Sequence, residues 1–451
     1  MKRVISFLKT DVKIINSYFL LAVIFIILIS IGYSSYALFS FTKTSNNVIE
    51  ATVGKIEKKP NAPVLASNMI PVYYDETAET WKKADLANPN NTYKWYDYNN
   101  GMWANAVTVT SSSRSKYLNA SIGTVISMND ITTMWVWIPR FNAVTPSNYN
   151  GGTQAKPNAI DVTFVKPNET AIDAFTFGTK QLSGFWYGKF EIGGTLASPC
   201  TNETCNVSNI VVKPNVSSLR SQKVSSFFYA SRSMEKTENS FGFISSEVDT
   251  HMSKNNEWGA VAYLTQSIYG RCINSTTCSE VGINNNNSYL TGYGAPAGSN
   301  TSVTNGTYNT ELGKDASTTG TIYGIYDMAG GSEEYVMGVL ADPNGKPRSG
   351  NSSSLNSGFT GMLKDGTTYT GVSFPDTKYY NNYTGTTYTG HALTETKNWY
   401  SDDARFVDSS YPWFNRGGHL YNSTYAGVFG FYSLHGSSSS RGSSRLVISN
   451  E

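Results

Sequence analysis

The chain has 451 residues with a formal charge of +2, and only 15% of its residues are charged. This length is sufficient for one large or two ordinary globular domains with a hydrophobic core. Because so small a net charge creates no extended positive field, the composition gives no support to nucleic-acid binding. Tyr, Asn, Ser, Thr and Gly are abundant, which favours a loop-rich β protein acting outside the cell over a cytosolic enzyme.

The N-terminal residues predict a membrane helix. Residues 1–16 form a basic segment with four Lys or Arg side chains against one acid, and residues 17–39 contain no charged side chain. The second stretch is long enough to span a hydrocarbon core as a helix. Since positive flanks stay in the cytoplasm, the rest of the chain is expected outside the cell. A retained signal anchor and a secretory signal cleaved after Ala37 both fit this pattern.

Two segments separate this helix from the main domain. Residues 40–64 are polar and end in a Lys-Pro-rich bend, which predicts a linker or stalk. Residues 65–121 alternate short aromatic and β-branched runs with Asn-Pro, Asn-Asn and Asn-Gly turn signals. That pattern predicts a small β-rich unit of hairpins, in which the Trp and Tyr side chains serve as packing or, alternatively, as a surface on which sugars stack.

The main domain is predicted over residues 122–451. Aromatic and β-branched runs indicate strands near residues 134–141 and 185–192. Apolar side chains at helical spacing predict helices over residues 217–234 and 256–269, the second capped by Asn256. Two long Asn/Gly/Ser/Thr-rich stretches, residues 279–320 and 341–390, are expected to be loops.

The four cysteines form two close pairs in the sequence, Cys200 with Cys205 and Cys272 with Cys278. Neither spacing is the C-x2-C of a zinc knuckle or of a thioredoxin-like redox centre. In an exported domain we expect local disulfides that each close one loop, although four cysteines allow three connectivities.

The C-terminal residues have an unusual amino-acid composition. From Gly418 to Arg445 there is no Lys, Glu, Gln, Met or Trp. Those are the amino acids that codons ending in a pyrimidine cannot encode, so random replacement of the adenines in AAC or AAT codons would produce such a segment. Its Tyr side chains provide contact area at low entropic cost, while Ser, Gly and Asn adapt their hydrogen bonds. A plain Ser/Gly-rich loop is the alternative interpretation.

Three segments resemble the formylglycine-generating-enzyme (sulfatase-modifying factor) type of C-type lectin fold. Residues 324–335, GIYDMAGGSEEY, are similar to its G-x-Y-D-M-x-G-N-x-W-E-W box, and residues 257–264, EWGAVAYL, to its tryptophan-led helix. The Arg-Gly-Gly and Arg-Leu-Val that bound residues 416–449 are similar to the ends of the variable region that diversity-generating retroelements rewrite in some members. The resemblance implies an α+β, C-type lectin-like domain with long loops and a C-terminal variable-type region.

The resemblance also bears on chemistry. An oxidase of this type would need a reactive cysteine pair in the C-terminal stretch, but no cysteine follows Cys278, and serine hydroxyls do not replace thiolates as redox ligands. We therefore expect a protein that is not an enzyme and has no cofactor. Related folds place calcium near the G-x-Y-D-M turn, and Glu334 matches their glutamate ligand. Alternatively, Asp327 and Glu334 accept hydrogen bonds from buried donors.

These observations predict an exported, membrane-tethered ligand-binding protein at the cell surface, with a cytoplasmic N-terminus. Its C-terminal face is expected to contact protein or glycan ligands while buried Val428, Phe429 and Leu446 fix the backbone beneath. The predicted contact residues are His419, Tyr421, Ser423, Tyr425, Tyr432, His435, Ser437, Ser439 and Arg441. The first alternative is a structural or pilus-associated surface protein with a fixed tail, and the second is a formylglycine-generating-type enzyme.

Overall fold

The computed structural model describes residues 39–43, 49–53, 59–87, 92–300, 306–386 and 388–450. The chain divides into two compact units, Met1–Lys59 and Pro60–Glu451. In the first unit, strand β1 (Phe39–Lys43) pairs antiparallel with β2 (Ile49–Val53), within the predicted linker. The predicted basic segment and membrane helix lie outside the described residues, apart from Phe39. Within the described ranges, no helix is long and apolar enough to cross a membrane.

The second unit is built mainly from strands. In chain order these are β3 (Ile70–Asp75), β4 (Thr80–Lys83), β5 (Asn105–Val109), β6 (Ile131–Pro139), β7 (Phe141–Ala143), β8 (Val162–Phe164), β9 (Thr176–Phe177), β10 (Lys180–Gln181), β11 (Gly184–Gly188), β12 (Gly193–Gly194), β13 (Ile210–Val211), β14 (Val248–Met252), β15 (Cys272–Asn274), β16 (Thr277–Cys278), β17 (Tyr293–Gly294), β18 (Gly306–Thr307), β19 (Glu333–Leu340), β20 (Arg348–Gly350), β21 (Gly361–Leu363), β22 (Thr368–Tyr369), β23 (Asn381–Tyr383), β24 (Trp413–Arg416), β25 (Phe431–Leu434), β26 (Gly442–Ser444) and β27 (Leu446–Asn450). The helices are α1 (Ser111–Leu118), α2 (Val224–Ser233), α3 (Asn255–Thr265) and α4 (Glu311–Lys314).

The largest sheet is antiparallel and has seven strands in the order β14-β27-β11-β6-β5-β3-β4. Strand β6 reads ITTMWVWIP, a run of β-branched and aromatic residues that favours extended backbone. Consecutive side chains point to opposite faces of a strand, so the burial of nearly every β6 residue shows that both faces of the sheet are covered. The last strand, β27, lies between β14 and β11. The alternation of residues 445–449 predicts a half-buried strand, but β27 is buried from Leu446 to Ser449 because both of its edges are paired.

A second, five-stranded sheet is centred on β19. This strand pairs parallel with β23 and β26 and antiparallel with β24, and β24 in turn pairs with β25. The C-terminal residues therefore supply three strands of this sheet and one internal strand of the larger sheet. The tail is part of the framework of the protein, not an appendage.

The two main helices are shorter than the apolar spacing predicted. Helix α2 covers Val224–Ser233, and α3 covers Asn255–Thr265. The cap of α3 is Lys254 and not the predicted Asn256: the Lys254 N–H donates to the Glu257 carboxylate at 2.8 Å. Every residue of α3 is buried, so this helix lies within the core and has no solvent face.

The prediction of an α+β, C-type lectin-like domain is wrong. Strands make up 30% of the described residues and helices, including short 3₁₀ turns, 15%, and besides the two larger sheets the strands form many small sheets. The excess of strands arises partly where loops were predicted, because the short strands β17, β18 and β20 to β23 lie within residues 279–320 and 341–390. The predicted small β-rich unit also differs, since its strands β3 and β5 pair within the seven-stranded sheet that contains β6.

Disulfides join Cys200 to Cys205 and Cys272 to Cys278. Replacing Cys272 and Cys278 together by serine is expected to lower the free energy of unfolding by about 2 kcal/mol, because a short closed loop restricts the unfolded chain only modestly. Guanidinium denaturation of the oxidised wild type and the double variant measures this difference. An unchanged midpoint would contradict it.

Candidate functional site

Two loops of the C-terminal segment lie beside the five-stranded sheet. The first tail loop, residues 417–430, connects β24 to β25, and the second tail loop, residues 435–441, connects β25 to β26. The first loop begins with Gly417 at a φ of 79° and Gly418 at a φ of 68°. Both angles lie in the left-handed region that glycine adopts without strain, so the Arg-Gly-Gly sequence turns the chain sharply out of the sheet.

Buried hydrogen bonds fix the backbone of the first tail loop. The Arg416 guanidinium is fully buried and donates to the Gly430 carbonyl at 3.1 Å and the Ala392 carbonyl at 2.8 Å. Fully buried Leu420 donates its N–H to the Gly331 carbonyl at 3.0 Å. Gly331 belongs to residues 324–335, GIYDMAGGSEEY, so this segment holds the loop in place through a backbone hydrogen bond. The loop is therefore ordered by the protein rather than by a ligand.

The second tail loop is held in the same way. The Tyr335 hydroxyl donates to the Ser437 carbonyl at 2.9 Å, and the N–H groups of Ser221 and Val224 donate to the Ser439 and Gly436 carbonyls at 3.0 and 3.1 Å. These contacts use backbone atoms of the loop and do not occupy its side chains.

Between the two loops lies a cavity of about 490 Å³, here called the tail cavity. Polar and aromatic side chains from three parts of the chain share its lining. They are Glu333, Asp403, Asn415, Gly418, His419, Asn422, Tyr425, Gly430, Phe431, Tyr432, Leu434, Ser439, Ser440 and Arg441. Five of the nine predicted contact residues therefore meet at one place, namely His419, Tyr425, Tyr432, Ser439 and Arg441.

Two carboxyl groups line the tail cavity. Burial raises the pKa of Glu333, although the hydrogen bond from the Ser439 hydroxyl, at 3.2 Å, and the charge of Arg441 act in the opposite direction. Burial likewise raises the pKa of Asp403, against the Ala404 N–H and Arg405. At both carboxyl groups the effect of burial on the pKa is larger than that of the neighbouring donors and cations. Hydrogen-bond donors of a ligand that contact Glu333 or Asp403 would therefore be favoured.

His419 is a neutral hydrogen-bonding group at the edge of the cavity. Burial, followed by the positive charge of Arg441, lowers the pKa of His419 to about 4. Its Nε2 lies 3.2 Å from an Arg441 nitrogen and its Nδ1 lies 3.2 Å from the Tyr421 N–H. A neutral imidazole has one lone pair for accepting, so only one of these two donors is satisfied at a time.

This lowered pKa predicts a pH dependence of stability. Below about pH 6.5 the unfolded chain takes up a proton at His419 while the folded protein does not, so stability falls as the pH falls from 7 towards 4. Between pH 7 and pH 5 the expected loss from this residue is about 1–2 kcal/mol, the lower figure allowing for solvent screening of a partly exposed ring. Urea denaturation at both pH values, in wild type and His419→Gln, measures it. Equal pH dependence in the two proteins would contradict the assignment.

The remaining predicted contact residues differ in their surroundings. Tyr421 is 54% exposed, on the outer side of the first tail loop. The Ser423 hydroxyl donates to the Gly298 carbonyl at 2.6 Å, and the His435 ring packs on Tyr411 at 4.5 Å between centroids. Ser437 is partly exposed and does not line the tail cavity. Ser423 and His435 thus make internal contacts where sequence reasoning expected ligand contacts.

Besides Asn422 and Ser440 within the tail loops, three polar residues of the cavity were not among the predicted contacts: Glu333, Asp403 and Asn415. None lies in the Tyr/Ser-rich segment that indicated a binding face. Glu333 reaches the cavity because β19 pairs with β26 in the register Glu333 to Gly442, which places it next to Arg441 and Ser439. A parallel pairing between strands so distant in sequence leaves no local pattern.

The predicted calcium ligand has a different partner. Glu334 is fully buried, and its two carboxylate oxygens accept hydrogen bonds from the Arg445 guanidinium, one of them at 2.9 Å from Nε. Asp327 accepts from the Asn284 amide at 2.8 Å and the Gly292 N–H at 2.9 Å. The Arg445 guanidinium occupies the position that a calcium ion would take beside Glu334, so this arrangement does not fit a calcium site. Both Glu334 and Asp327 instead accept hydrogen bonds from buried donors, as the alternative interpretation of the sequence stated.

No family model and no curated protein sequence matches this chain. The geometry of the tail cavity and of its two loops therefore carries the functional argument.

Proposed function

We propose that the protein is an exported, membrane-tethered ligand-binding protein that contacts protein or glycan ligands through its tail cavity and the rim around it. The observation that carries this proposal is the convergence of five binding-type side chains on one polar cavity whose backbone is fixed from behind. A few well-placed polar groups beside aromatic faces are the usual composition of a ligand site. Preordered loops also reduce the entropy lost on binding.

The rim adds contact area around this cavity. Tyr421 and Tyr425 are 54% and 60% exposed, and Arg441 is exposed beside them. Tyr and Arg are enriched at binding hot spots. The arrangement favours a ligand broad enough to cover the rim while one of its groups enters the cavity.

A screen of the full chain against a glycan array and a displayed protein library tests this function. We expect binding that is reduced in Tyr425→Ala and retained in Tyr93→Ala, a matched exposed tyrosine outside the cavity lining. Self-assembly of the purified protein that is unaffected by Tyr425→Ala, without any captured ligand, would instead favour the structural surface protein.

We further propose that residues 418–445 are diversified by a retroelement. The support is their restricted vocabulary, which adenine replacement in AAC or AAT codons would leave. Sequencing the DNA around the gene tests this part separately. A near-copy of the segment, with adenines at the substituted positions and a reverse-transcriptase gene nearby, is expected. Absence of both would remove diversification and leave the binding proposal unaffected.

A further inference from the structure

A second cavity, of about 710 Å³, lies apart from the tail residues and is here called the lysine cavity. Its charged lining residues are Asp173, Lys180, Lys254, Asp376 and Lys378, and Phe177 and Asn256 also line it. The Nζ atoms of Lys254 and Lys378 lie 5.2 and 4.9 Å from the centroid of the Phe177 ring. Two ammonium groups are thus held around one aromatic ring.

Buried carboxylates behind Phe177 hold these lysines in place. Lys254 lies 3.4 Å from the Glu257 carboxylate and Lys378 lies 3.2 Å from the Asp249 carboxylate. The same two carboxylates contact His251, at 3.0 and 3.1 Å. Because each acid is shared with a second basic group, it neutralises its lysine only in part, and the ammonium groups keep N–H donors for an anion.

His251 strengthens this effect. Burial would lower the pKa of His251, but the adjacent Glu257 and Asp249 outweigh burial and raise it. The imidazole lies against the Phe177 ring at 4.8 Å between centroids, nearly parallel to it. Asp249 also accepts from the Arg232 guanidinium at 2.9 Å. The acids behind the cavity are therefore engaged by cations on several sides, and the cavity side is left basic.

The rest of the cavity is suited to hydroxyl groups. Asp173 accepts from the His391 ring at 2.8 Å and from the Asn256 side chain, and a carboxylate has further lone pairs that can accept from ligand hydroxyls. Asn256 is 3% exposed, and its Oδ1 has no hydrogen-bond partner among the residues that the structure describes. A buried amide oxygen without a partner costs free energy, and a ligand hydroxyl would remove that cost.

We propose that the lysine cavity binds an acidic sugar, with its carboxylate between Lys254 and Lys378 and its hydroxyls at Asp173 and Asn256. A simple anion would use the lysines but not the carboxylate and amide oxygens. A neutral sugar would offer no charged acceptor to the ammonium N–H donors that Glu257 and Asp249 leave unused. A ligand that has both a carboxylate and hydroxyls uses the lysines as well as the carboxylate and amide oxygens.

Titration calorimetry of the full chain with D-glucuronate tests this site. Binding is expected at ligand concentrations up to about 10 mM, weakened at least about tenfold in Lys254→Met and less strongly in Lys378→Met. Exposed Lys364→Met is the matched control and is expected to bind as wild type. Lys378 is 29% exposed, so its variant keeps the test valid if Lys254→Met does not fold.

Two comparison ligands complete the experiment. D-Glucose and inorganic phosphate are each expected to bind at least about tenfold more weakly than D-glucuronate. No detectable D-glucuronate binding, or binding unchanged in both lysine variants, would overturn the proposal. Phosphate binding as tight as that of the sugar acid would overturn the assignment to acidic sugars.

Discussion

Replacing Arg445 by methionine is expected to lower the free energy of unfolding by about 3–5 kcal/mol. Arg445 is fully buried where β26 joins β27, and it donates to the Glu334 carboxylate and to the Gly188 and Tyr326 carbonyls, the last two at 2.9 Å each. Methionine fills similar space but donates nothing. The substitution therefore leaves a carboxylate and two carbonyls buried without these donors, which is the costly way to break a buried pair.

The Glu334 side of this pair gives the experiment its control. Burial raises the pKa of Glu334 to about 7 even beside Arg445. The stability linked to this raised pKa is complete below about pH 4.5 and is lost as the pH rises through 7, so Arg445→Met should be most destabilising at alkaline pH. Adding Glu334→Gln should recover most of the loss, because a neutral amide needs no counter-charge.

Guanidinium denaturation followed by tryptophan fluorescence measures both variants. Arg441→Met, an exposed arginine four positions away, is the matched control and should change stability by no more than about 0.5 kcal/mol. An Arg445→Met variant that loses no more stability than Arg441→Met would contradict this account. So would the absence of any recovery on adding Glu334→Gln, because the buried ion pair would then not be what stabilises the fold at this point.

The second large effect concerns binding. Replacing Tyr421 and Tyr425 together by alanine is expected to weaken the affinity for a ligand found in the screen by at least about a hundredfold. Both side chains are more than half exposed, so their removal takes contact area from the complex but little from the folded protein. The free energy of unfolding should change by no more than about 0.5 kcal/mol.

Surface plasmon resonance with wild type and the double variant measures this loss. Tyr93→Ala is again the control, since Tyr93 is 40% exposed. A double variant that binds as well as wild type would move the ligand site away from the first tail loop. A double variant that unfolds would show that the two tyrosines stabilise the structure.

The parts of the tail that could be predicted from sequence are those set by residue type. Val428, Phe429 and Leu446 are buried as expected, because apolar side chains near the sheet gain most from leaving water. The exposure of Tyr421 and Tyr425 also follows the expectation for contact residues. The apolar residues of 426–431 suggest one buried strand, but only Phe431 belongs to a strand, because the Gly430 N–H donates to the Gly427 carbonyl at 2.9 Å and closes a turn.

What the sequence did not predict depends on contacts between distant segments. Glu333 and Asp403 reach the tail cavity through sheet pairing and a loop outside the Tyr/Ser-rich stretch. Ser423 and His435 are residue types that often contact ligands. In this protein, however, the Ser423 hydroxyl donates to the Gly298 carbonyl and the His435 ring packs on Tyr411. The prediction of the fold class was wrong for the same reason. A few motif-like segments suggested an α+β, C-type lectin-like domain, whereas the pairing of many short strands that are distant in sequence produced a structure built mainly from strands.

The central claim is that a fixed framework presents exchangeable side chains, and a protease-resistance scan of every position from 418 to 445 in the full chain tests it most directly. Substitutions at Tyr421, Tyr425 and Arg441 should change the rate of cleavage by no more than about twofold. Substitutions of buried Leu420 and Phe429 by polar residues should raise it at least about tenfold. Loss of resistance at the exposed positions, or tolerance at the buried ones, would contradict the account.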